Sequence, residues 1–187
     1  KHEKFSISEY GYIEDLDKID SKALYEHYKN ILKTSPIDII VEGEFNEEQV
    51  IKIIKDKFVF ERDNVLEIPR EEYKQDIDTV KNIVDKMDVT QGKLVIGYRA
   101  NIDFADAKNY YALVLGCNIL GGGPHSKMFI NIREKESLCY YIYSSIEKYK
   151  SILFISSGIE VQNYDKTVEL VRKQIEAIKN GDITNEE

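Results

Sequence analysis

Apolar residues recur along this chain with two different periods, and the change of period marks out its elements. Over residues 21–32, Ala23, Leu24, Tyr28, Ile31 and Leu32 fall on one face behind Asp20 or Ser21 as a cap, which predicts a helix. Ile37–Val41 is a short apolar run after Pro36 and predicts a buried strand. Asn46 and Gln49 have the spacing of a capping box for a further helix, whose stripe is Val50, Ile51, Ile54 and Phe58. From Gln91 the period drops to two: Leu94, Ile96 and Tyr98 alternate with Lys93, Val95, Gly97 and Arg99, as in a half-buried strand. Helical spacing returns over 105–120, with Tyr110, Leu113, Val114, Cys117 and Leu120 on one side, and stops at Gly121-Gly122-Gly123. A short helix follows, with Pro124 near its first turn and Met128, Phe129 and Ile132 inward. Leu138–Ile146 and Ile152–Ile159 bracket the polar turn Glu147–Ser151 and predict an antiparallel hairpin. In the last helix Tyr164, Val168, Val171, Ile175 and Ile178 form the stripe, Asn163 can cap the start and Gly181 can end it. Helices mixed with an antiparallel hairpin make the class α+β, antiparallel sheets flanked by helices.

The helix–strand–helix piece at the start is too small to hold a core of its own. Between Glu61 and Asp88, 14 of 28 residues are Asp, Glu, Lys or Arg, against 32% for the whole chain. With Pro69 inside it, that stretch reads as a solvated connector. Val80, Ile83, Val84 and Met87 within it have helical spacing but suit a strand edge equally well. The expected organisation is therefore 1–60, a charged connector over 61–90, and a second unit over 91–187. Near the end, Thr184 and Glu187 form the capping box of a helix that the sequence does not go on to supply, and Lys1 is not an initiator methionine. The expectation is a central piece of a longer protein.

Charge and composition narrow the function. Of 187 residues 26 are basic and 34 acidic, a net charge of −8, so a phosphate backbone is repelled and nucleic-acid binding is not expected. No apolar stretch reaches the ~18 residues of a membrane span. Cys117 and Cys139 lie in apolar contexts and read as reduced core thiols of a cytoplasmic protein.

Candidate chemistry is sparse. A phosphate loop needs Gly, four residues and Gly-Lys-Ser/Thr after a strand, whereas Gly121–Gly123 follow a helix and Ser126-Lys127 has no glycine in the required place. The glycines either end one helix tightly or leave room for a peptide to pass. His2, His27 and His125 are scattered, no zinc-binding His pair occurs at workable spacing, and no serine sits in a nucleophile elbow. No catalytic residue and no metal ligand is assigned. Arg133 and Tyr140, seven apart at a helix exit and a strand entry, remain. From residue type alone Arg133 is solvated or paired with Glu134 or Glu136, and Tyr140 is a strand aromatic.

The run from Leu120 to Tyr141, LGGGPHSKMFINIREKESLCYY, resembles the pitrilysin/insulinase family of zinc metallopeptidases, the inverzincins, in its glycine-rich turn, its helix ending in Arg-Glu-Lys, and its Arg and Tyr seven apart. The likeness extends to Gln91–Arg99 and Ser157–Glu160, and more loosely to residues 12–58. It implies a tail of one peptidase-like domain, a connector, and most of a second such domain. The family's zinc site lies in a first domain upstream, so the resemblance implies no zinc here, an inactive isolated segment, and a parent or partner subunit that can carry the metal. It implies that Arg133 and Tyr140 contact a peptide substrate near its scissile bond. Gln-Gly-Lys-Leu and Gly-Gly-Gly-Pro-His-Ser-Lys look most like bacterial subunits that lack the zinc motif and pair with a zinc-bearing sister. The alternative is an inactive member acting as a scaffold in a protein complex. Ser137 and Cys139 depart from the family's usual glycine and small residue without touching the pair.

Overall fold

The computed structural model describes residues 6–68 and 77–187, and the chain divides into two units, Lys1–Arg70 and Glu71–Glu187. Pro69 lies outside the described residues.

The first unit carries α1 (Ile13–Leu16), α2 (Ser21–Thr34) and α3 (Glu47–Lys57). Asp20 caps α2, its carboxylate accepting from Ala23 N–H at 2.7 Å, and Asn46 caps α3 by accepting from Gln49 N–H at 3.0 Å. At the other end of α2 the carbonyls left open by the helix are met by Arg62, whose guanidinium donates to Leu32 O and Ser35 O, and by Leu66 N–H, which donates to Thr34 O at 2.8 Å. The strand expected at Ile37–Val41 does not form. A strand exists only through a hydrogen-bonded neighbour, and these residues have no ladder among the described residues, so the apolar run stays exposed. The stripe of α2 is likewise open, with Leu24, Tyr28 and Ile31 exposed.

In the second unit residues 77–90 are neither helix nor strand, and Val80, Ile83, Val84 and Met87 are all exposed, so neither periodic reading of them holds. From there the patterning becomes structure: β1 (Gly92–Arg99), α4 (Ala107–Gly121), a π-helical segment (Phe129–Glu134), β2 (Cys139–Glu147), β3 (Ile152–Ile159) and α5 (Tyr164–Lys179). The three strands are all antiparallel in the order β1-β3-β2. Leu94, Ile142, Ile155 and Ile159 are buried on one sheet face, and the central cluster there is completed by Leu120 from α4, Met128 just before the π-helix, Ile132 within it, and Val171 from α5. Two buried serines on that face are satisfied, Ser144 Oγ donating to Cys117 O at 2.7 Å and Ser157 Oγ to Tyr141 O at 2.8 Å.

Several details differ from the expected caps and turns. Asn163 makes no side-chain cap on α5; a 3-10 turn over Val161–Asn163 leads into the helix, and Thr167 Oγ1 donates back to Asn163 O at 2.8 Å. Gly181 does end α5, at φ +75°, with Asp182 N–H returning to Ala177 O at 2.9 Å. Thr184 and Glu187 make both halves of their box, Thr184 N–H to Glu187 Oε2 at 3.0 Å and Glu187 N–H to Thr184 Oγ1 at 3.4 Å. Glu187 also holds Lys127, whose Nζ is 2.8 Å from Oε2 with both side chains nearly buried.

Candidate substrate-contact site

The site is built where the π-helix hands over to β2. Lys135 N–H reaches back five residues to Ile130 O at 3.0 Å, the wide turn of a π-helix. Ser137 then takes φ +53°, a left-handed conformation that turns the chain sharply, and buried Leu138 anchors it to the core. The strand that follows is bulged. Cys139 pairs with Ile159 and Tyr141 with Gly158, the neighbouring residues of β3, so Tyr140 is the extra residue of the ladder. A bulge re-aims the side chain it carries, and Tyr140 stands 76% exposed.

Arg133 closes the other side. Its Nε donates to the main-chain carbonyl of Tyr140 at 2.8 Å, its Nη1 pairs with Glu134, and its guanidinium carbon lies 4.6 Å from the centroid of the Phe129 ring. Together Arg133, Glu134, Ser137, Cys139 and Tyr140 line an open cleft of about 270 Å³. Among the described residues, neither Nη2 of Arg133 nor the Tyr140 hydroxyl has a hydrogen-bond partner. Arg133 and Tyr140 thus each keep an unused donor beside the cleft, the guanidinium being set in place by a main-chain hydrogen bond and a ring.

The cleft also holds the thiol of Cys139. Burial pushes the Cys139 thiol up from its ordinary pKa, against the smaller opposing pull of its Ser157 hydrogen bond and the Arg133 charge, so it stays protonated at neutral pH. Cys117 is raised for the same reason, burial, and both thiols are free. Among the described residues no three His, Cys, Asp or Glu side chains come together to hold a metal; His27 and His125 are exposed, and His2 lies outside the described residues.

The glycines of the turn are used by the fold. A Cβ on Gly121 would stand 2.4 Å from Met128 Cε and 2.6 Å from Ser144 N, so α4 ends in direct contact with β2 and no space is left there for another chain. Gly122 is exposed and Gly123 half-buried. A larger groove of about 660 Å³ runs along α5 between Asn82 and Asn180; half of its lining residues are charged, and of these Glu169 and Lys173 are paired with each other.

Sequence reasoning named Arg133 and Tyr140, and of the two partners it offered Arg133, Glu134 and Glu136, the structure pairs Arg133 with Glu134. The same reasoning placed Phe129 inward with Met128 and Ile132, whereas the ring is only half-buried and lies against the Arg133 guanidinium, and it missed the bulge, which no residue type announces.

Residues 18–187 match the family model described as the peptidase M16 inactive domain. A probable inactive metalloprotease of Bacillus subtilis strain 168, YmfF, is 37% identical over all of this chain and 43% of its own length. An uncharacterized zinc protease of the same organism, YmxG, is 27% identical over 57% of the chain and 26% of its own length. The crystal structure of a conserved protein from Enterococcus faecalis V583 superimposes with a TM-score of 0.79 at 30% identity, over 96% of this chain and 42% of that one. The chain thus spans less than half the length of YmfF and of that solved structure.

Proposed function

The chain belongs to the peptidase M16 family, through its inactive domain, and from that premise we propose that it is part of a non-catalytic, peptidase-like subunit lending peptide contacts to a shared proteolytic chamber. The observation that carries this reading is that Arg133, whose Nη2 is unpaired among the described residues, and the exposed Tyr140 line one open cleft. Both are donors, and both suit a peptide carbonyl. They suit still better the oxyanion that replaces it as a peptide bond is attacked, because hydrogen bonds to a charged acceptor are the stronger ones. In this reading zinc and its activated water belong to another domain or to a zinc-bearing partner subunit, and this chain positions the peptide. The full-length subunit carrying Arg133→Ala or Tyr140→Phe, mixed with that partner, should then turn over peptide well over tenfold more slowly. Unchanged turnover would overturn the proposal.

One observation favours a second reading, a scaffold that keeps the fold without the contacts. Arg133 already serves the structure through Tyr140 O, Glu134 and the Phe129 ring, which gives it a use in the absence of any peptide. Tyr140→Phe separates the two, because its hydroxyl has no partner among the described residues.

A further inference from the structure

The face of the sheet turned away from the core carries an uncharged aromatic platform. The register sets Val95, Ser156 and Tyr143 in one row, Gly97, Phe154 and Ser145 in the next, and Lys93, Gly158 and Tyr141 in the row nearest the cleft. Val95 is 61% and Tyr143 48% exposed, and Gly97 and Ser145 are open as well. The rings lie low against the strands. A Cβ on Gly158 would come within 2.6 Å of the Tyr141 ring, so that ring rests on the glycine, and the Phe154 ring lies 3.6 Å from the corresponding point at Gly97. Tyr141 and Tyr143 stack with centroids 6.0 Å apart.

Charged residues sit only at the ends of this surface, Lys93 at one and Arg99 with Glu147 at the other. From these observations we infer that the platform holds apolar, preferably aromatic, side chains of an extended peptide whose backbone is held in the Arg133–Tyr140 cleft. This inference rests on the peptide-contact reading above and adds a side-chain preference to it. Continuity carries it first. Tyr140 and Tyr141 are consecutive, and the bulge sends the first into the cleft and the second onto the platform. Size carries it next: three strands at ~4.8 Å spacing and five residues at ~3.3 Å give a patch on the order of 250 Å². That is well short of the ~800 Å² each partner buries in a stable protein pair, but enough for one strand's side chains. Chemistry agrees, since tyrosine rings with serine hydroxyls and glycine bind peptides by rigid apolar contact and adaptable hydrogen bonds, and the centre offers a charged partner nothing to pair with.

The test is fluorescence anisotropy on this chain with two labelled, uncharged ten-residue peptides, identical except that two Phe in one are Ser in the other. The Phe peptide should bind about tenfold more tightly. Tyr143→Ser, and Val95→Ser alongside it in case either variant fails to fold, should remove most of that difference while leaving the Ser peptide unaffected. Equal affinity for the two peptides, no binding of either, or an equal loss on both would overturn the inference. So would a concentration-dependent dimer abolished by Tyr143→Ser, which would make a second copy the occupant. The two readings fail separately: if Arg133→Ala changes neither affinity while Tyr143→Ser keeps its selective effect, the cleft reading falls and the platform stands.

Discussion

Arg133 Nε donates to the main-chain carbonyl of Tyr140 at 2.8 Å, so the guanidinium grips the backbone of the bulge and leaves the phenol pointing outward. The two residues are therefore unequal partners. One positions the other, and both can meet a ligand.

That inequality separates their substitutions. Tyr140→Phe removes an exposed hydroxyl and should leave stability within ~0.5 kcal/mol, while slowing peptide turnover in the assembled full-length subunit. Arg133→Ala should slow turnover too and should also cost about 1–2 kcal/mol, because a charged hydrogen bond and a ring contact are lost from a half-exposed site. Thermal melts of both variants beside steady-state turnover check the split. Equal destabilisation by the two variants would contradict it.

Gly121 and Gly123 should respond differently to a methyl group. Gly121→Ala places Cβ against the backbone nitrogen of Ser144, which cannot step aside without moving β2, so a loss of about 1–3 kcal/mol is expected. At Gly123 the nearest atom is 3.2 Å away on the His125 ring, which can swing clear, and Gly123→Ala should be close to neutral. Chemical denaturation of the two variants measures the contrast.

The second unit was largely legible in the sequence because its elements bury one face against each other. Leu94, Ile96 and Tyr98 announce β1, and Met128 with Ile132 marks the inward side of the helical turn. Ile37–Val41 misleads for the converse reason: β-propensity describes a residue's fit to neighbouring strands, and here the neighbours are missing from the described residues. In the site, the residue types of Arg133 and Tyr140 were visible and their relationship was not. It depends on one extra residue in the β2 ladder and on a left-handed Ser137, both set by tertiary packing rather than by local pattern.

Limited proteolysis should find the segment after residue 77 before the one around residue 62. Arg62 is held by two carbonyls at the end of α2, whereas Lys81 and Lys86 are exposed in chain that is neither helix nor strand. Brief trypsin digestion read by mass spectrometry should show cleavage after Lys81 or Lys86 first. Earlier cleavage after Arg62 would mean that its contacts with α2 do not protect it.

Lys127 and Glu187 make the second unit sensitive to acid. Burial disfavours the Glu187 carboxylate, but its hydrogen bonds from Lys127 and Thr184 and the Lys127 charge together outweigh that, and its pKa lies below the ordinary carboxylate value. A carboxyl whose pKa is depressed on folding contributes stability that is complete above its unfolded value, ~4.3, and is lost as pH falls through the folded one. The wild-type chain should therefore lose stability below about pH 4, and Glu187→Gln should flatten that part of the curve. Lys127→Met is the sharper probe. It leaves a nearly buried carboxylate without its cation, which typically costs about 3–5 kcal/mol for a fully buried pair and sets the upper guide here. It should also raise the pKa of Glu187, so that Lys127→Met becomes relatively less destabilising as the pH is lowered and the carboxyl takes up a proton. Melting curves of the three proteins between pH 3 and pH 7, in steps of about half a unit, read the effect directly. A penalty for Lys127→Met that stays constant across that range would show that the loss comes from packing of the lysine stem, not from its charge on Glu187.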